Sequence, residues 1–284
     1  MCRMLAFHVL GPGRGLASEL VQLLPKAASD DKYERELGGD GRHCHGYGYI
    51  LVYRRSPRSG WLLSYERGDS YNPENPEAGC EENLKGVREA ASRVASIVET
   101  AVEAYLIFHA RRTEGEPRGA VHAHPFRENA SLEGGLGEVF LAHNGSVDKI
   151  ALASSRGFAS PKIYTDSHLV LKALAEDLKG ARLEDIEGRL KASIEGLKGY
   201  TRTALDLLIM MITPTSTPRL WAYGYVRPGL SGVAREYYRP IVIVGDGIKA
   251  YVSSTIRDLM GRMPGIAEKH IDGHLEPLVV SSLG

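Results

Sequence analysis

The chain has 284 residues, of which 43% are hydrophobic and 25% charged, ordinary usage for a globular protein with a sizeable core. Lys plus Arg and Asp plus Glu are equal at 35 each, so no strong net field points to nucleic acid or to an anionic membrane surface as a partner. The longest apolar run, residues 207–212, is too short to span a bilayer, and the apolar start, residues 4–10, contains His8 and lacks a cleavage-like sequel. A cytoplasmic protein is the expectation. Its three cysteines, Cys2, Cys44 and Cys80, make no even disulfide framework and suit a reducing compartment.

In chain order, residues 2–9 read as a strand, ended by Gly11-Pro12-Gly13-Arg14-Gly15. This is a strand-to-helix loop; its glycines would also suit a phosphate cradle. Residues 16–24 read as a helix stopped by Pro25. Residues 47–53 and 61–65 read as a hairpin across the turn-rich residues 56–60, and the two Asn-Pro pairs within 69–80 as a loop. Leu84, Val87, Ala91, Val94, Val98 and Val102 recur at helical spacing, and residues 104–109 switch to a short buried strand. Residues 139–142 form another short strand that feeds His143-Asn144-Gly145. Thr165 or Asp166 caps a helix with Val170, Leu171, Leu174 and Leu178 on its apolar face and Gly180 at its end; a further helix covers 186–197. The last third reads as strands at 204–213, 219–226, 237–244 and 249–253. Hairpin-like connections outnumber crossovers, which favours an α+β fold with antiparallel sheets in one domain over residues 1–284.

Four features carry chemistry. Cys2 follows an initiator Met that aminopeptidases remove before small residues. Removal leaves one residue with a thiol nucleophile and an α-amine of pKa about 7.7–8.0, which serves as its own base near neutrality. By itself Cys2 reads more readily as an ordinary buried thiol in a first strand. Asn144 and Gly145 offer a side-chain amide beside a main-chain N–H, a two-donor arrangement for an oxyanion, or else a plain Asn-Gly turn. Within His109-Ala110-Arg111-Arg112-Thr113, an arginine suits a bidentate pair with a carboxylate and Thr113 adds a hydroxyl. Asp166, opening a helix, suits a substrate ammonium group. Together these fit one amino acid: Arg and Asp bracket its α-carboxylate and α-amine, Cys faces its side-chain carbonyl, and Asn and Gly hold the oxygen.

The order Met1-Cys2-Arg3, His109-Ala110-Arg111-Arg112-Thr113 with Gly115-Glu116-Pro117, His124-Pro125-Phe126, His143-Asn144-Gly145 and Thr165-Asp166-Ser167 resembles the class II glutamine amidotransferases. These are N-terminal-nucleophile hydrolases. Gly46-Tyr47-Gly48 is similar to their glycine-containing second strand, and Val252-Ser253-Ser254 to a late strand-to-loop element. The resemblance implies a four-layer αββα sandwich with two antiparallel sheets, filled by roughly the first 250 residues. It implies attack by Cys2 on a glutamine side-chain carbonyl, an oxyanion held by Asn144 and Gly145, and a γ-glutamyl thioester that water releases as glutamate. Arg111 is the implied carboxylate clamp, with Arg112 the alternative because one residue instead of two separates Arg111 from Thr113. Asp166 is the implied amine partner, and Thr113 and His124 complete the substrate-binding set. His122 and His168 stand where the family carries Asn and an acidic residue, which loosens the expected preference for glutamine itself.

No acceptor domain is visible in the sequence, so the stand-alone members are the ones it resembles. Ammonia then passes to a separate synthase subunit, or a γ-glutamyl compound of thiol metabolism is simply hydrolysed. No cofactor and no metal are implied. Two other readings stand beside these. Histidines and Cys44, including the pairs His43/His45 and His122/His124, could serve a metal hydrolase, although none has a familiar zinc spacing. A chain that keeps Met1 would be a non-catalytic binding or regulatory subunit.

Overall fold

The computed structural model describes residues 2–280; Met1, on whose removal the expected chemistry depends, lies outside them. Strand β1 (Cys2–Leu10) is buried along nearly its whole length. Its side chains alternate between two cores. Leu5, Phe7 and Val9 face a helical layer, whereas Met4 and Ala6 face a second sheet. The chain continues through α1 (Arg14–Ser29), α2 (Lys32–Glu36), β2 (Tyr47–Arg54), β3 (Leu62–Gly68), α3 (Pro76–Thr100) and β4 (Glu103–Arg111). Next come β5 (Phe126–Leu132), β6 (Gly135–Val147), α4 (Lys149–Arg156), α5 (Asp166–Asp177), α6 (Ile186–Leu197), β7 (Thr201–Ile212) and β8 (Arg219–Tyr223). The last elements are α7 (Gly232–Tyr237), β9 (Ile241–Gly245), β10 (Ile248–Val252), α8 (Ser254–Met260), β11 (Ala267–His270) and β12 (Leu275–Pro277).

The strands form a seven-stranded sheet, ordered β11-β9-β10-β1-β4-β2-β3, and a five-stranded sheet, ordered β12-β8-β7-β6-β5. Every paired neighbour is antiparallel. One core lies between the first sheet and α1, α3 and α8, a second between the sheets, and a third between the second sheet and α4–α6. This is the expected α+β, layered αββα sandwich. Phe140, Ala142, Leu208 and Met210 meet Met4, Ala6, Ile50 and Ile107 across the middle.

Several boundaries differ from the sequence expectation. Helix α1 runs through Pro25 to Ser29, because Leu24, Ala27 and Ala28 continue its buried face against α3. That packing outweighs the one backbone bond the proline forfeits. Helix α3 begins at Pro76, with the Asn75 side chain accepting from the Ala78 N–H at 3.0 Å. The second Asn-Pro is thus a cap followed by a first-turn proline, not a loop signal. His143-Asn144-Gly145 does not end its strand; it lies inside the 13-residue β6, followed by a bulge. Residues 232–237 are helical where a strand start was expected, and β12 adds a strand beyond residue 250. Cys44 and Cys80 are joined in a disulfide, which corrects the expectation of unpaired cysteines and leaves Cys2 as the free thiol.

Candidate active site

Cys2 and Arg111 are direct partners at the end of the β1–β4 ladder. Residues directly opposite and two positions away share one face of a sheet, so Cys2, His109 and Arg111 all point toward the second sheet. From that sheet β6 brings Asn144 and Gly145, and the start of α5 brings Asp166. The result is a cavity of about 370 Å³ lined by Cys2, Arg111, Thr113, His124, Gly145 and Asp166. Asn144, 1% exposed, stands behind this wall and not on it.

Asn144 is placed by two contacts. Its Oδ1 accepts from the Cys2 N–H at 2.9 Å, and its Nδ2 donates to Asp206 Oδ2 at 3.4 Å. Burial pushes the Asp206 carboxyl well above the ordinary carboxylate range. Gly145 adopts φ +138°, and a Cβ there would lie 2.0 Å from the Ala204 carbonyl oxygen on β7. Only glycine lets the main chain pass so close to β7 and turn into the bulge.

The two arginines have different surroundings. Arg111 is buried on the wall and donates to the Pro117 carbonyl at 3.0 Å; burial lowers its pKa without removing its charge. Arg112 borders the same cavity, but its guanidinium forms ion pairs with Glu34 and Asp40 and donates to the Arg42 carbonyl at 3.1 Å. The main chain at Thr113 is held by His45, whose Nδ1 lies 2.8 Å from the Thr113 carbonyl oxygen.

Helix α5 resolves the capping alternatives. The Thr165 hydroxyl accepts from the His168 N–H at 3.1 Å, which makes Thr165 the cap. Asp166 is thereby released to the cavity. Its Oδ2 accepts from the Val147 N–H at 3.0 Å and its Oδ1 from the Ser167 N–H at 2.7 Å, so the carboxylate is fixed. His168 is turned toward Glu128 Oε1 at 2.9 Å.

Burial is the largest influence and raises the Cys2 thiol, but His109, the amino-terminal charge and the Arg112 main chain together outweigh it and hold the thiol at about 6. Behind Cys2, on the opposite face of β1, Arg3 is fully buried. It pairs with Asp31, and its guanidinium lies 3.9 Å from the centre of the Tyr237 ring. Asp31 also contacts His43 at 2.7 Å and accepts from Thr255 Oγ1 at 2.8 Å. The Tyr237 hydroxyl donates to the Cys2 carbonyl at 3.4 Å.

Sequence reading missed part of the wall. Glu116, which pairs with Lys149 at 2.7 Å, lay inside the quoted Gly-Glu-Pro, whereas Arg202 and Tyr238 carried no local signal. His43 and Cys44, proposed as metal ligands, are engaged with Asp31 and Cys80. Among the described residues, no group of three or more His, Cys, Asp or Glu converges to hold a metal, and no helix is long and apolar enough to cross a membrane.

No family model matches the chain, and no curated protein matches it. Among solved structures, the 2.0 Å crystal structure of a predicted glutamine amidotransferase from Pseudomonas aeruginosa PA01 superposes with a TM-score of 0.38 at 12% identity. The alignment covers 99% of this chain and 96% of that one.

Proposed function

We propose that the chain is an N-terminal-cysteine amidohydrolase of the class II glutamine amidotransferase type, formed as one domain over residues 1–284. The observation that carries this reading is the meeting of Cys2, Gly145, Arg111 and Asp166 around one cavity, although they lie far apart in sequence. Arg111 clamps the α-carboxylate and Asp166 the α-amine, with Thr113 and His124 shaping the wall. The Cys2 sulfur attacks the side-chain carbonyl. The Gly145 N–H on the wall receives the oxyanion, joined by the second hydrogen of Asn144 Nδ2 once substrate draws that side chain from behind the wall. The amine leaves, a γ-glutamyl thioester remains, and water releases glutamate. With Met1 removed, the nitrogen that donates to Asn144 becomes a free α-amine.

A second reading concerns the substrate. His122 and His168, which stand where the resembled family carries Asn and an acidic residue, favour a γ-glutamyl compound other than glutamine. The deciding experiment compares glutamine with γ-glutamyl peptides and γ-glutamyl amines, following ammonia and glutamate separately. The N-terminus is defined beforehand by mass spectrometry. Glutamate without ammonia identifies hydrolysis of a non-glutamine substrate; ammonia identifies a glutaminase able to feed a separate synthase subunit. Cys2→Ala abolishes turnover and leaves the fold intact; full activity in that variant refutes the proposal. Protein from its own cells that retains Met1 and turns over nothing supports the regulatory-subunit reading instead.

A further inference from the structure

The face of β4 that turns toward the second sheet carries a histidine for which the proposed reaction has no use. His109 is fully buried, and neither of its ring nitrogens has a hydrogen-bond partner. His124, 3% exposed, is in the same condition, and the two rings stand 4.1 Å apart. Buried polar atoms without partners are uncommon, because each gives up its hydration for nothing in return. Here four such nitrogens sit together, beside the one free thiol of the chain. The strand register puts His109 opposite Met4 while Cys2 is opposite Arg111, so imidazole and thiol are diagonal neighbours on one face. His109 is also the group whose charge most favours the thiolate. In the resting geometry Cys2 Sγ also donates weakly to the Arg112 carbonyl at 3.7 Å, and contacts of catalytic pairs commonly tighten only with substrate.

We propose that His109 is the proton acceptor of the Cys2 thiol and a catalytic residue of this site, with the tilted ring of His124 packed against it. The inference rests on Cys2 being the nucleophile. The Sγ–H proton passes to a ring nitrogen of His109, giving a thiolate and an imidazolium. Sulfur attacks the carbonyl carbon and the π pair moves to oxygen. As the tetrahedral species collapses, the imidazolium proton goes to the leaving nitrogen, the C–N bond breaks and the thioester forms. Water then attacks the thioester, gives a proton to His109, and sulfur departs as thiolate. Atoms and charges balance with His109 as the proton carrier.

His124 is suited to its part. Burial and the nearby His109 keep its pKa well below the ordinary imidazole value, so His124 does not compete for the thiol proton. Other ionisable groups surround the pair and the thiol: Arg111 on β4, Arg67 on β3 and His143 on β6 act on His124, Asp166 on α5 acts on His143 and Arg111, and Tyr237 and Tyr238 at the end of α7 stand near Cys2. Asp206 on β7 reaches Cys2 only through Asn144. Burial holds His143 low as well, which leaves His109 as the imidazole available to the thiol.

The test titrates thiolate absorbance near 240 nm and the rate of alkylation by iodoacetamide, on protein whose N-terminus has been defined. With Cys44 and Cys80 bonded, both signals report Cys2 alone. The wild-type midpoint is expected near pH 6. His109→Gln moves it to the ordinary thiol range of about 8.5 or above, and alkylation at pH 6.5 slows roughly 50–100-fold. A wild-type midpoint in His109→Gln, or a low midpoint found only after Met1 removal, overturns the proposal. If the variant does not fold, histidine-labelled wild-type protein decides by NMR. His109 should be cationic at pH 7 and lose that charge when Cys2 is alkylated; a neutral ring beside a thiolate overturns the proposal. Neither measurement needs a substrate, so failure of the amidohydrolase reading would appear separately, as a reactive thiolate with no γ-glutamyl turnover.

Discussion

The Cys44–Cys80 disulfide closes a sequence separation of 36 residues and fixes the short segment before β2 to helix α3. With the chain-entropy relation, a loop of that length loses about 13 cal/mol/K in the unfolded state, or about 4 kcal/mol at 25 °C. For a domain of this size, that corresponds to a fall in Tm of roughly 8–15 °C when the bond is absent. The segment does more than bridge. His43 contacts Asp31, the Cys44 carbonyl accepts from Asn83, and His45 holds Thr113. The main chain of Arg111 pairs with Gly46 and His45 at 2.8 and 2.7 Å. Loss of the bond should therefore raise KM more than it lowers kcat, because the carboxylate clamp loosens while Cys2 stays on its strand. Both cysteines are buried, so reductant added to folded protein is a poor test. The measurement compares calorimetric melting of wild type with the Cys44→Ala, Cys80→Ala double variant, followed by steady-state kinetics on the best γ-glutamyl substrate. Melting curves that coincide within 2–3 °C would refute the constraint argument, and a pure kcat effect would refute the clamp argument.

Three further outcomes follow from the site. Gly145→Ala places a methyl on the Ala204 carbonyl at a positive φ, so backbone strain and lost ladder bonds together cost roughly 2–5 kcal/mol; an unchanged Tm with unchanged turnover would show that the bulge is not required. Arg111→Lys should cut kcat/KM roughly 10–100-fold, chiefly through KM, by losing a bidentate charged pair, whereas Arg112→Lys should spare kcat/KM and lower Tm because Glu34 is buried behind it; equal kinetic losses in both would reject the assignment of Arg111. For Asp206, burial raises the folded pKa above the ordinary 3.8, so protonation favours the fold. That contribution is complete below pH 3.8 and is lost as pH rises above it. Asp206→Asn keeps an acceptor for Asn144 and should gain stability relative to wild type between pH 4 and pH 7; a difference that does not change with pH would contradict a raised carboxyl.

Strand periodicity made most of the layered fold legible, since β1, β2, β7 and β10 are apolar runs bounded by turn residues. The site was legible where chemistry demands a particular residue type. Asp166 and Thr165 were separable only by structure, because either side chain suits a helix start and the hydroxyl's bond to His168 decides between them. Asn144 was assigned to the oxyanion without any sign that its amide also ties the Cys2 nitrogen to Asp206, a residue that looked like one polar interruption in an apolar strand. The disulfide escaped because Cys44 and Cys80 meet only after β2 and α3 have packed, and spacing records no such proximity. His109 was read as part of a motif without a task, since its lack of partners is a property of the folded interior.

The cluster of Arg3, Asp31, His43 and Thr255 bears on how this sequence can change over time. Removing Arg3 or Asp31 strands the other's charge away from water, typically at a cost of about 3–5 kcal/mol, whereas replacing the group by well-packed apolar residues is often neutral or favourable. Each single substitution thus crosses a valley that the joint substitution avoids. Residues 3, 31, 43 and 255, drawn from β1, the loop before α2, the segment before β2 and helix α8, form one unit of inheritance. Diverging sequences should exchange them as a block, and libraries that vary residue 3 alone should return arginine.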